Sequence, residues 1–586
     1  LNTKQKISFA LSALLISSQV YAIDVSYQSH IKPSNIALDA VRNKGGNAPK
    51  ITQANNGIPV VDITDANNAG ISNNYFTDFN VGKEGLIFNN SKDLFVNTTL
   101  AGYINGNSNL TNEASLILTQ VTGSNPSSLL GVMEIAGKRA DLIIANPNGI
   151  TCNGCGVLNA KSFTLSTGFI SQEEIDRVNN INEINKTLTM MTERGHINIE
   201  ALNASNVEKL NIIAKSASVN GNLLASDLQF ILGENKVFFD LSNKSDASLL
   251  LYEAITTKNA EGEEQKALAL DVAHLGSVVA NSIYLVATDE GVGVKNSGTM
   301  ATIGSKEEGD GGFVIDVNGI VTISTPQSGK STLDKDGSAP TLSSSANLEI
   351  KAKELHNGSI ISADTDVNIT ADKVENVSRY EVKEVVVDYS EDSWKVNADT
   401  NRIFDKRWTV EERVENYSPA IIQAGNNLTI TADSVKNDMG NLNATNEAVF
   451  NTTESFENKA PELKVKIYRH HYKRRGIDKK IIKTYHEGLQ NSWYAQNNLP
   501  QFNVQDLVLS NQENILSNAL VFASTPTYTQ EDRSEYADLS SYLASSSYQE
   551  YVKSHYDRDP NYSDALLQKE IEFAVQKDTY RQQNTQ

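Results

Sequence analysis

The stretch Asn347–Ser362, NLEIKAKELHNGSIIS, is followed after three residues by a second version of itself, DVNITADKVENVS at Asp366–Ser378. Leu348 falls on Val367, Ile350 on Ile369, Ala352 on Ala371 and Asn357 on Asn376, a period of 19 residues. Further along, NNLTITADSVKN (Asn426–Asn437) and EAVFNTTESFEN (Glu447–Asn458) place Val435 on Phe456 and Asn437 on Asn458, a period of 21. Apolar residues alternate with polar ones inside each copy, the pattern of a strand with one buried face. A repeat of this length cannot bury its apolar face alone, so the copies must stack. The spacing predicts one rung of a parallel β-helix per repeat, with Val, Ile and Leu inward and Asn and Gly at the corners. Gly195–Gly233 and Ala269–Ile303 carry the same alternation. The expected fold is all-β: a right-handed parallel β-helix (solenoid) with extruded hairpins and a short polar helical C-terminal tail.

Composition limits the chemistry. The 586-residue chain carries 51 Lys+Arg against 71 Asp+Glu, a net charge of −20, which argues against a nucleic-acid groove covering the protein. At the N-terminus, Lys4 and Lys6 precede an apolar run, Phe9–Ile16, and a small-residue cleavage signal ends at Ala22. Residues 1–22 read as a signal peptide. The run is far short of the roughly 20 residues that span a bilayer, so no integral membrane segment is expected.

Both cysteines of the chain lie in ADLIIANPNGITCNGCGVLN, Ala140–Asn159. Two thiols without a nearby His cannot complete a structural zinc site, and a redox pair would need a βαβ setting that the flanking strand-like residues do not offer. Asn146, Pro147 and Gly149 fit the first, second and fourth places of a type I turn. Asn153-Gly154 is a hairpin signal that places Cys152 and Cys155 at the outer turn positions, about 7 Å apart or less and within disulfide reach. The expected role is a structural staple.

With FNNSKDLFVNTTLAGYI (Phe88–Ile104) and the run from Ile117 to Gly168, this stretch resembles the secretion domain of two-partner-secretion exoproteins, the family of filamentous haemagglutinins, haemolysins and contact-dependent inhibition proteins. The resemblance implies a β-helical domain handled by a cognate outer-membrane transporter. It assigns Asn146, Pro147, Asn148, Gly149 and Ile150 to a secretion motif. The family's earlier NPNL motif is here GNSNL, so Asn107, Asn109 and Leu110 stand as a diverged second motif.

The implied division is residues 23–260 as secretion (haemagglutination activity) domain, 261–460 as haemagglutinin-type repeats with a projecting insertion near 380–416, and 461–586 as a basic segment and polar tail, the start of a truncated rod. Between the best-matching parts, the segment from Ser171 to Gly195 reads as a loop with a helical turn extruded from the stack. In the tail, Leu566, Leu567, Ile571, Phe573 and Val575 suggest one weak helix.

Other motifs weigh less. SGKST, Ser328–Thr332, lacks the spacing of a phosphate-binding loop, and the adjacent His470 and His471 would face opposite sides of a strand. The basic cluster, with Lys464, Tyr468, Arg469, Lys473, Arg474 and Arg475, is a candidate ligand contact. No catalytic residue, metal or cofactor is expected. The expectation is a non-enzymatic exoprotein, exported via the periplasm and secreted or held at the bacterial surface. It would act as a haemagglutinin-like adhesin for a glycan or protein receptor on a host or neighbouring cell. A haemolysin and a truncated contact-dependent toxin carrier are the alternatives.

Overall fold

The computed structural model describes residues 34–43, 48–180, 182–241, 249–255, 268–304, 312–323, 341–395, 401–459, 461, 463–475, 478–490, 506–509 and 515–517. The signal segment, SGKST and the tail helix lie outside them. The described residues fall into two compact units that divide between residues 311 and 320. Among them, one α-helix is present, Gln172–Asn179, and nearly everything else is strand.

In the first unit the chain winds through three parallel columns of strands. One coil runs through Ile150–Leu158 and Ala160–Ser166, the next through His196–Ala214, and the next through Ser216–Leu232. Each strand pairs in parallel with the equivalent strand of the coil before and after it. Ile117, Leu142, Phe163, Leu210, Leu228 and Ile283 occupy successive register positions along one column. All six are 2% exposed or less, so a narrow apolar core runs along the coils as the alternation requires. Asn35–Leu38 pairs antiparallel with Ile71–Asn80 at the N-terminal end.

One column is buried on its outer face too, which is why Leu116–Val121 has no exposed residue despite its length. The helix and the antiparallel sheet of Thr187–Thr192, Asn235–Asp240 and Leu251–Ala254 cover it. Ile175, Val178, Leu188, Met190 and Val237 pack there against Leu116, Leu118, Ile143, Ile213 and Ile231. The segment after Ser171 is therefore a packed layer and not a loop standing free. Ser171 caps the helix by accepting the Glu174 amide at 3.2 Å. Glu174 and Arg177 pair at 2.9 Å, and the Arg177 hydrogen bond holds the Glu174 carboxyl below its ordinary value.

In the second unit the repeat alignment becomes physical register. Leu348 pairs with Val367, Ile350 with Ile369, and Asn357 with Asn376. The next coils continue the rows through Leu428, Ile430 and Asn437, then Ala448, Phe450 and Asn458. The corner asparagines form a buried ladder: Asn357 donates to Asn376 at 2.8 Å, Asn376 to Asn437 at 2.7 Å, and Asn437 to Asn458 at 2.8 Å.

Two segments leave this stack. Arg379–Lys395 and Asn401–Ser418 pair with each other antiparallel, and Lys464–Arg475 pairs with Asp478–Gln490. Asn401–Ser418 also pairs with Lys464–Arg475, so the insertion and the basic cluster form a single four-stranded sheet.

Candidate functional site

The turn Asn146–Gly149 closes as its residue types demand. The Gly149 amide donates to the Asn146 carbonyl at 3.0 Å, and the Asn148 amide donates to Asn146 Oδ1 at 2.9 Å. Gly149 has φ +111°, and a Cβ there would lie 2.9 Å from the His196 carbonyl oxygen, so both backbone and space call for glycine. Asn146 is fully buried and its Nδ2 donates to the Asn125 carbonyl at 2.9 Å and to Ser127 Oγ at 3.0 Å. Asn148 Nδ2 donates to the Gly123 carbonyl at 2.8 Å. Both side chains thus tie the turn to the coil before it. Pro147 takes the second position, and Ile150, 2% exposed, starts the next strand opposite Ser127 and Ile197.

The diverged motif closes with the same two turn hydrogen bonds, although its fourth residue, Leu110, does not share the positive φ of Gly149. Asn109 donates its amide to Asn107 Oδ1 at 2.9 Å, and Leu110 donates its amide to the Asn107 carbonyl at 3.2 Å. Asn107 is buried, and its Nδ2 reaches the Ile63 and Asn89 carbonyls at 2.9 and 3.0 Å. Asn109 accepts from Lys50 Nζ at 3.0 Å. Ser108 stands where Pro147 stands in the other turn, so these hydrogen bonds form without proline, and both turns carry asparagine at the first and third positions.

Cys152 and Cys155 are joined by a disulfide with Cα atoms 5.4 Å apart. The hairpin expected at Asn153-Gly154 is not formed. Ile150–Leu158 runs on as one strand that stays parallel to its neighbour, with register shifts at Asn153 and again at Cys155. The physical reason is that a hairpin would fold the strand back on itself, whereas parallel pairing with the next coil offers the apolar flanks a buried partner on every side. The disulfide therefore bridges a bulged corner of a coil. Both sulfur-bearing residues are 2% exposed or less, and Cys152 Sγ lies 3.1 Å from the Ala201 carbonyl oxygen.

Sequence reasoning alone did not find the turn's supports. His196 faces Ser216 and Ser218, each 2.9 Å from a ring nitrogen, and burial pushes its imidazole below the ordinary value. Gly195 takes φ +91° with the Pro147 carbonyl against it. Only the spacing of one coil brings these residues to the turn. The possible ligand contacts Lys464, Tyr468, Arg469, Lys473, Arg474 and Arg475 stand on one strand of the four-stranded sheet, away in sequence from the turns.

Residues 34–317 match the family model described as the TPS secretion domain. Over 291 residues the chain is 37% identical to the 16S rRNA endonuclease CdiA of Enterobacter cloacae, covering 49% of this chain and 8% of that protein. It is 36% identical over 279 residues to the tRNA nuclease CdiA of Escherichia coli strain NC101, covering 47% and 8%. The chain thus spans less than a tenth of the length of these curated relatives. Among solved structures, the filamentous hemagglutinin secretion domain is 26% identical with TM-score 0.39, covering 58% of this chain and 96% of that one. The HMW1 secretion domain from Haemophilus influenzae is 13% identical with TM-score 0.31, covering 84% and 98%. With the paired asparagine turns among them, residues 34–317 thus belong to the family of TPS secretion domains, the domain of two-partner secretion exoproteins.

Proposed function

We propose that this chain is carried through the periplasm and across the outer membrane by a cognate barrel transporter, and is secreted or displayed at the bacterial surface. The observation that supports the reading is the secretion-domain match over residues 34–317. Asn146, Pro147, Asn148, Gly149 and Ile150 lie within it, and this reading assigns them to the secretion motif. Beyond that domain the coils are a haemagglutinin-like scaffold for adhesion to a host or neighbouring cell, and no catalysis is assigned to them. The coils wind right-handed, the sense favoured by twisted parallel strands, and the antiparallel pairs stand out from them as hairpins.

The experiment is expression with and without the transporter, as native chain and with Asn146→Ala and Asn148→Ala together, followed by assay of the culture medium. Release that needs the transporter and fails in the double variant is the expected result. Native protein retained in the periplasm beside its transporter overturns the reading.

A second reading has its own support. The relatives named as CdiA nucleases match over about 8% of their length, which favours a contact-dependent toxin carrier over a haemolysin. An immunity-type reading frame downstream of the gene, protecting neighbours from growth inhibition, would support it.

A further inference from the structure

Phe95–Thr98 and Gly102–Asn105 form a two-stranded antiparallel hairpin that pairs with no other strand among the described residues. Its two faces differ. Val96 and Ile104 stand opposite each other on the inner face and pack against Ile58, Ile87 and Ala136. The connection between the strands is pinned as well. The buried Glu134 carboxylate accepts the Thr99 amide at 2.6 Å and the Leu100 amide at 2.8 Å, and Asn56 Nδ2 donates to the Leu100 carbonyl at 3.0 Å. The hairpin is thus fixed both from beneath and at its tip.

The outer face is open. Phe95 is 59% exposed and Tyr103 73%, and Asn97 and Asn105 are exposed beside them. Phe95 stands opposite Asn105 and Asn97 opposite Tyr103, so rings occupy one diagonal of the face and amides the other. Diagonal neighbours across such a pair lie roughly 7–8 Å apart. Among the described residues, neither the Asn97 nor the Asn105 side chain is engaged in a hydrogen bond. None of the eight strand residues carries a charge at neutral pH. Leu94, 79% exposed, precedes the first strand and by alternation falls on the other side from Phe95.

We infer that this face is a binding platform for an uncharged saccharide. The two rings receive the apolar C–H faces of sugar rings, and the amides between them offer donors and acceptors to sugar hydroxyls. Other occupants fit the face less well. A lipid surface would strip water from both amides, at a cost of roughly 1–3 kcal/mol for each one left unpaired. A stable protein partner covers roughly 800 Å² on each side, whereas two strands of four residues present a face of only about 13 Å by 10 Å. A platform already fixed loses little conformational freedom on binding, which favours a small ligand. The site rests on the surface display proposed above, which brings it to glycans, although it lies inside the secretion domain and not on the coils beyond it.

The test applies the purified full chain to an array of immobilised uncharged oligosaccharides of glucose, galactose, mannose, fucose and N-acetylhexosamines, with phosphatidylcholine vesicles in parallel. The variants are Phe95→Ala with Tyr103→Ala, Asn97→Ala with Asn105→Ala, and the ring-preserving Phe95→Tyr with Tyr103→Phe. Leu94→Ala controls for general hydrophobic adhesion. Circular dichroism reports folding and release into the medium reports export, so failure of the secretion reading is distinguishable from failure of saccharide binding. The expected result is salt-insensitive binding of at least one oligosaccharide that weakens about tenfold or more when both rings are removed, as truncation of aromatic anchors does. Binding should also fall in the asparagine pair and persist in the ring-preserving and Leu94→Ala variants. No binding to any oligosaccharide, an equal loss in Leu94→Ala, or tighter binding to vesicles overturns the platform. Unchanged saccharide binding with impaired release in the ring-deleted pair assigns the face to export instead.

Discussion

Asn376 donates a hydrogen bond to Asn437 at 2.7 Å across 61 residues of sequence, with both side chains buried. The bond exists because the insertion between them returns the chain to the same corner one coil later. Asn376→Ala leaves the amides of Asn357 and Asn437 short of a partner, at a cost of roughly 1–3 kcal/mol. Urea unfolding of the full chain should show the loss, and it should exceed that of Asn458→Ala, which interrupts the described ladder at its last member. Equal effects would mean that the ladder has no cooperative interior.

In the secretion turn, Gly149→Ala forces a side chain into positive φ against the His196 carbonyl. It should destabilise the first unit by roughly 1–3 kcal/mol, and it should reduce release when the domain folds during export. Wild-type thermal stability for this variant would contradict the turn geometry.

Ser108→Pro should act in the opposite direction. The turn at Asn107 has the hydrogen bonds of the turn at Asn146, where the same position is already proline. Fixing φ there should raise stability by roughly 0.4–1 kcal/mol through the unfolded chain. A lower unfolding midpoint would show that the two turns differ in backbone at that residue.

Replacing Cys152 and Cys155 together by Ser opens a very small loop, so the chain-entropy loss is only about 2 kcal/mol. Secretion should persist while the unfolding midpoint falls. Abolished secretion in a folded double variant would give the disulfide a role in export itself.

Asp141 offers a pH test. Burial raises its carboxyl above the ordinary aspartate value, while Ser162 donates to it at 2.6 Å and pulls the other way. The folded state therefore holds this proton more tightly than the unfolded one, and stability attributable to Asp141 declines as pH rises from about 3.9 through the raised folded value. Asp141→Asn should stabilise the protein at pH 7, with the gain vanishing below the unfolded value. A gain independent of pH would trace to packing instead.

Much of the architecture was legible in the chain. The pairs Leu348/Val367, Ile350/Ile369 and Asn357/Asn376, aligned by period alone, are register partners in space, because a coil can stack on its neighbour only with like residues at like positions. The turn at Asn146 was legible for the same kind of reason: Asn, Pro and Gly each satisfy a local backbone requirement. Asn153-Gly154 misled because its hairpin preference is also local, and parallel pairing with the next coil overrode it.

The amino-acid order by itself thus determined whatever depends on near neighbours or on a regular period: the strand alternation, the repeat length, the Asn turns and the family they belong to. Only the tertiary structure decided what depends on where distant segments return. That includes the helix and antiparallel layer over Leu118 and Ile143, the Asn125 and Ser127 supports of Asn146, and the union of residues 379–418 with 464–490 in one sheet. Antiparallel pairing between two insertions obeys no period, so nothing in their separate sequences specifies the register in which Asn401–Ser418 meets Lys464–Arg475.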